Sequence, residues 1–150
     1  MDKSASFWVG ATPRRSTSSL ADMSGAVLRV SGSKASVARF LKSTSWVPLT
    51  IYWKGQPRLP GSRRISLVNG FNLSVSDASG SNLPQQVRDA KRFLSRNVAE
   101  IGRLRRLRLT AVLDFGVDAG AKSGVFFCRF DNALISALAV AGFGVEVSYY

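Results

Sequence analysis

Ala26-Val27-Leu28-Arg29-Val30-Ser31 alternates apolar and polar positions, as a strand with one buried face does. Ser33 is placed to cap a short helix whose apolar positions are Val37, Phe40 and Leu41. Trp46 to Trp53 reads as an extended aromatic stretch, and Lys54 to Arg64, with two glycines and two prolines, as a long basic loop. Ile65–Val68 and Phe71–Val75 flank Asn69-Gly70, which predicts a hairpin turning on that dipeptide. After a polar loop from Asp77 to Asn82, apolar residues recur at helical spacing: Leu83, Val87, Ala90, Leu94, Val98, Ile101 and Leu104. Asn97 and Glu100 have capping-box spacing, so the region predicts two helices jointed near Arg96. Arg108–Phe115 alternates as a strand, with Leu109, Ala111 and Leu113 on one face, and Val125–Phe130 is a further strand candidate. Asp131 caps a predicted helix, Asn132–Ala141, which Gly142 ends, and Phe143–Tyr150 alternates as a last strand.

The resulting order is β-α-β-β-α-β, a further strand, then α-β. Alternating strands with short connections predict a single α+β domain. Its sheet is antiparallel or mixed, with helices on one face, and the nearest common architecture is a ferredoxin-like variant. The pattern starts at Gly25. Residues 1–24, rich in Ser, Thr and Ala around Arg14-Arg15, are expected to form a flexible or loosely attached arm, with a short strand at Phe7-Trp8-Val9. They lack the continuous apolar run of a secretory signal. The longest apolar stretch, Ala133 to Val145, is too short to span a bilayer.

Composition narrows the chemistry. With 150 residues, 45% of them apolar and 20% charged, the chain fits one globular domain and excludes a wholly disordered or collagen-like protein. It contains no histidine and one cysteine, Cys128. A Ser-His-Asp triad, a Cys-His pair, a histidine metal ligand and an intramolecular disulfide are therefore all excluded. The missing disulfide suits a reducing cytoplasm. Cys128, inside Val125–Phe130, reads as a buried or half-buried strand residue. Asp114 and Asp118 are the only acids close together, and they read as solvated turn residues because no third oxygen ligand accompanies them. Asp114-Phe115-Gly116 spells a kinase motif without the rest of the kinase signature, and no phosphate-binding glycine loop is present. The expectation is a non-enzymatic protein with no cofactor and no metal.

Charge supplies the functional clue. Lys and Arg number 21 against 9 Asp and Glu, a net charge of +12. Arg88, Arg92, Arg96, Arg103 and Arg106, projected at about 100° per residue on one continuous helix, fall within about 80° of one another. The apolar positions lie opposite, at about 200–280°. Arginine suits bidentate contact with carboxylate or phosphate, so this stripe predicts an anionic partner. A second candidate contact is the loop residues Trp53, Lys54, Arg58, Arg63 and Arg64, with Trp53 as a ring beside the cations Lys54 and Arg58. The partner is expected to be a protein or another anionic macromolecule, the chain being an inhibitor or immunity-type protein. The charge counts against inhibition of a nuclease, which an acidic protein would do by mimicking nucleic acid. The alternative is a nucleic-acid-binding accessory protein.

From Gly25 on, the chain resembles a small bacterial family known only as a domain of unknown function. The likeness rests on Val27–Leu41, on Trp53-Lys54-Gly55-Gln56-Pro57-Arg58, on the amphipathic helical middle, and on Phe130–Tyr150 with its helix, glycine and aromatic-ended strand. It covers about five-sixths of the chain. The resemblance implies a compact α+β fold and a bacterial cytoplasmic setting, and it implies no reaction.

Overall fold

β1 (Ala26–Gly32) turns Ala26, Leu28 and Val30 to one side, where all three are fully buried. This strand belongs to a computed structural model that describes residues 25–118 and 127–150; the predicted arm at 1–24 lies outside the described residues. α1 (Lys34–Ser43) starts where expected, the Ser33 hydroxyl accepting from the Ser36 N–H at 3.1 Å, and it buries Val37 and Phe40. β2 (Thr50–Tyr52) takes only three residues of the aromatic stretch into the sheet.

β3 (Asn69–Ser76) corrects the predicted hairpin. Asn69 and Gly70 are strand residues, and β3 pairs antiparallel with β2 rather than with Ile65–Val68. Glycine is needed at position 70 for close approach, not for a turn. A Cβ there would lie 2.1 Å from the Val30 carbonyl oxygen and 2.8 Å from the Tyr52 ring. The residues between the strands fold into a loop fastened by hydrogen bonds from the Gly55 N–H to the Ser66 carbonyl and from the Ser66 N–H to the Gln56 carbonyl.

α2 (Leu83–Arg96) and α3 (Val98–Arg106) follow, then β4 (Thr110–Val117), α4 (Asn132–Ala141) and β5 (Gly144–Tyr149). Phe127 to Phe130 are not in a strand, and Val125 and Phe126 lie outside the described residues, so the strand expected over Val125–Phe130 is absent from its described part. Asp131 caps α4 by accepting from the Leu134 N–H at 2.7 Å. That bond and the Lys91 ammonium, which is the larger influence, hold the Asp131 carboxyl below its ordinary range. Gly142, at φ 73°, ends α4 in the left-handed conformation.

The five strands of the described residues form one sheet in the order β2-β3-β1-β4-β5. The first four are antiparallel to their neighbours and follow the β-α-β-β-α-β order of the ferredoxin-like fold. α4 then carries the chain to β5, which is parallel to β4 and makes the sheet mixed. Leu28 sits opposite Leu73 and Leu113, and Val30 opposite Phe71 and Ala111, so three strands present one apolar face. All four helices contribute to the single cluster on that face, with Phe40 stacked on Phe71 at 5.6 Å. Buried Gln86 locks α2 to the sheet through its Nε2, which donates to the carbonyls of Ser79 and Gly116. The protein is therefore a single α+β domain with helices on one face of a mixed sheet. No helix among the described residues is long and apolar enough to cross a membrane.

Candidate functional site on the basic helical layer

α2 is an amphipathic helix whose two faces are sharply different. Asn82 caps it through a bond from the Gln85 N–H at 3.2 Å, and Val87, Ala90 and Leu94 are buried. Arg88, Arg92 and Arg96, four residues apart, occupy the exposed side. Arg88 donates to the Gln85 Oε1, its Nη2 at 2.6 Å. Arg92 reaches Asp89 at 3.5 Å, and Asp89 also accepts from the Ser76 hydroxyl at 2.7 Å. Arg96 has no hydrogen-bond or ion-pair partner among the described residues. Arg92 and Arg96 border a shallow hollow of about 660 Å³ between α2 and the end of β3, which Asp89 of the same helix and Ser74 and Asp77 from the end of β3 also line.

The stripe does not continue into α3 as one face, because the helix breaks at Asn97. There the Asn97 amide replaces a turn of helix: its Nδ2 donates to the Phe93 carbonyl at 2.8 Å and its Oδ1 accepts from the Trp46 indole Nε1 at 2.8 Å. The expected capping box is not made, since Asn97 gives no side-chain cap to α3. Glu100 instead accepts from the Thr44 hydroxyl at 3.2 Å and from Arg103.

The break redirects Arg103. Its guanidinium is half-buried, lies 5.2 Å above the Phe40 ring, and donates to the Ser43 carbonyl and hydroxyl as well as to Glu100. Arg103 thus fastens α3 to α1 and is not on the exposed row predicted for it. Arg106 is exposed and shares the last turn of α3 with Arg103 and Arg105, where cations complement the helix dipole. Arg105 donates to the Val140 carbonyl at 3.3 Å.

The second predicted contact is also rearranged. Trp53 packs against the core, and the cation over its ring is Lys34, at 6.0 Å, rather than Lys54 or Arg58. Lys54, Arg63 and Arg64 are exposed on the loop, where the Lys54 N–H donates to the Asn69 Oδ1 at 3.0 Å. Arg58 stacks on Tyr52 at 4.9 Å, and its N–H donates to the Arg64 carbonyl. The loop cations therefore lie by the edge strand β2, away from the α2 row.

One polar cluster was not anticipated. On the sheet face without helices, Arg29 of β1 pairs with Asp114 of β4 at 3.5 Å and with Glu146 of β5. The Ser148 hydroxyl donates to both Asp114 oxygens at 2.9 Å. Asp114 is a buried strand residue, not the solvated turn residue expected. The legible signal was a charge at the outward position of each strand; what joined them was register, which aligns Asp114 with Glu146. Asn72 adds a buried Oδ1 without a partner, and Arg58 overhangs a pocket of about 120 Å³ beside these groups. Cys128 is half-buried as expected, its Sγ 3.8 Å from the Tyr149 hydroxyl. Among the described residues no three His, Cys, Asp or Glu side chains cluster as metal ligands do. No protein-family model, curated protein or solved structure matches this chain.

Proposed function

We propose that this protein is a non-enzymatic binding domain whose helical layer recognises an acidic surface on a partner protein. The carrying observation is the exposed row Arg88, Arg92 and Arg96, of which Arg96 is unpaired among the described residues and Arg88 meets only a neutral amide. Guanidinium groups held on a rigid helix suit carboxylates of a facing protein. The loop cations Lys54, Arg63 and Arg64 widen the positive field. An inhibitor or immunity-type role, in the bacterial cytoplasm that the family resemblance implies, is the concrete form of this reading.

Nucleic acid draws on the same cations. However, the open sheet face carries Asp114 on β4 and Glu146 on the edge strand β5, and its central strands β1 and β3 present Arg29 and Asn72 rather than the rings on which bases stack. Among the described residues the rings on that face are Tyr52, which is buried beneath Arg58, and Tyr150, which lies past the end of β5 beside Asp114, so no pair of rings stands on the central strands. A protein partner is therefore favoured.

The test compares labelled poly-glutamate with mixed-sequence single-stranded RNA as probes, across a salt series, by fluorescence anisotropy. Poly-glutamate should bind, and replacing Arg88, Arg92 and Arg96 together by Gln should weaken it about tenfold or more while the fold is retained. Tighter RNA binding with a log-linear salt dependence would reverse the choice of partner.

A further inference from the structure

We infer that the groove between α2–α3 and α4 is a seat for an acidic amphipathic helix of the partner protein. This rests on the acidic-partner reading above and gives that partner a shape. The groove holds about 460 Å³ and is lined by Leu94, Val98, Ile101, Gly102, Ala137 and Val140. Leu94, Val98 and Ile101 follow one another at helical spacing across the Asn97 break, and Ala137 and Val140 form the facing wall. Val98 is 68% exposed and Val140 78%, so two branched apolar side chains stand in solvent on opposite walls.

Gly102 is the second, independent observation. It lies in the middle of α3, where only proline is a worse helix former. Glycine inside a helix usually serves close packing against a neighbouring element. Gly102 has no such neighbour among the described residues: a Cβ built on it meets nothing within 4 Å. The room left by its missing side chain opens into the groove. A helix crossing there can bring its backbone near α3 only because that position has no side chain.

Charge selects the occupant. The groove lining contains Lys91 and Arg105 and no acid. Lys91 is paired with Asp131, whereas Arg105 meets only the Val140 carbonyl and keeps its charge for a ligand. A second copy of this chain would bring a net +12 and the same two cations against themselves. A nucleic acid has no apolar ridge to fill the floor. An amphipathic helix with aliphatic anchors at i, i+3 or i+4, and i+7, flanked by Asp or Glu, fits both the floor and the rim.

A displayed peptide library on a helical template, selected against the full chain, tests this. Enriched peptides should carry that anchor pattern with acidic flanks. Made synthetically and labelled, they should lose about tenfold or more in affinity on Gly102→Leu, which fills the groove, and on Val140→Glu, which opposes their charge. Gly102→Ala should leave thermal stability unchanged or higher. Circular dichroism of each variant separates lost binding from lost fold. Acidic peptides that ignore Gly102→Leu and Val140→Glu but fail on the Arg88, Arg92 and Arg96 glutamine variant would overturn the groove and leave the acidic-partner reading intact. Enrichment of basic peptides, or of none, would overturn both. Binding of phosphatidylserine vesicles that Gly102→Leu abolishes, without peptide binding, would make the groove a lipid contact and overturn the proposal.

Discussion

Tyr52 lies on a three-residue strand, yet its ring crosses Gly70 and its hydroxyl donates to the Val30 carbonyl of β1 at 3.3 Å. Burial pushes its phenol above the ordinary 10.0, and the positive charges of Arg58 and Arg29 oppose that rise. The protonated phenol is the neutral form, so the folded state holds this proton more tightly than the unfolded chain does. The resulting stability is complete below pH about 10, where unfolded tyrosine begins to ionise, and is lost as pH rises through the higher folded value. Urea unfolding across that alkaline range should show stability falling more steeply in the wild type than in Tyr52→Phe. Parallel profiles would mean that the ring contributes through packing alone. Arg103 makes the complementary point about single residues. Its charge was readable, but its destination depended on the turn of backbone at Asn97 and on where Ser43 and Phe40 lay.

Asn97 decides the form of the helical element, because one amide serves the Phe93 carbonyl and the Trp46 indole together. Asn97→Ala should lower stability by about 1–3 kcal/mol, since the half-buried indole N–H loses its acceptor. By NMR the Trp46 indole proton should exchange faster; unchanged exchange would show that water already serves it. Elements with long hydrophobic periods were legible before the structure: β1, α1, the paired α2 and α3, β4, α4 and β5 all stand close to where alternation or helical spacing put them. The joint between α2 and α3 was legible too, though its mechanism was not, because the Asn97 partner is a tryptophan about fifty residues away. Asn69-Gly70 misled because a glycine that admits a neighbouring ring and a glycine that makes a turn look the same in one dimension. Of the two candidate contacts, local spacing located Arg88, Arg92 and Arg96, whose neighbours lie on the same helix. It failed for Trp53 and Arg58, whose ring and cation partners come from α1 and β2.

For the whole molecule, the division of labour follows from the sheet. One face is buried beneath four helices, and those helices carry the exposed arginine row and the apolar groove. The other face holds its charges in pairs, so Arg29 is neutralised by Asp114 and Glu146 and adds little to the outward field. The two sides should consequently differ in salt response: contacts made by the helical layer weaken with ionic strength, while the Arg29 cluster, with buried Asp114, is screened less. The sheet also grows beyond the ferredoxin-like set of four strands by one parallel strand, β5, which forms its outer border among the described residues.

That border has a cost of its own. A strand at the margin of a sheet leaves one row of backbone donors and acceptors open to any chain that can match it. Along β5, Val145, Val147 and Tyr149 alternate with Gly144, Glu146 and Ser148, so Glu146 is the only charge on a segment otherwise suited to β-stacking. Its carboxylate does more than bind Arg29: it makes a second copy of the same strand an unfavourable neighbour, since two Glu146 side chains would be brought side by side. Glu146→Val should leave the monomer folded, with Asp114 still holding Arg29, yet raise light scattering and thioflavin fluorescence on storage. A variant as clear in solution as the wild type would show that the border is protected by its shape alone. On this expectation the strand that completes the sheet is also the place where a further chain would add to it, and Glu146 is the charge that opposes the addition.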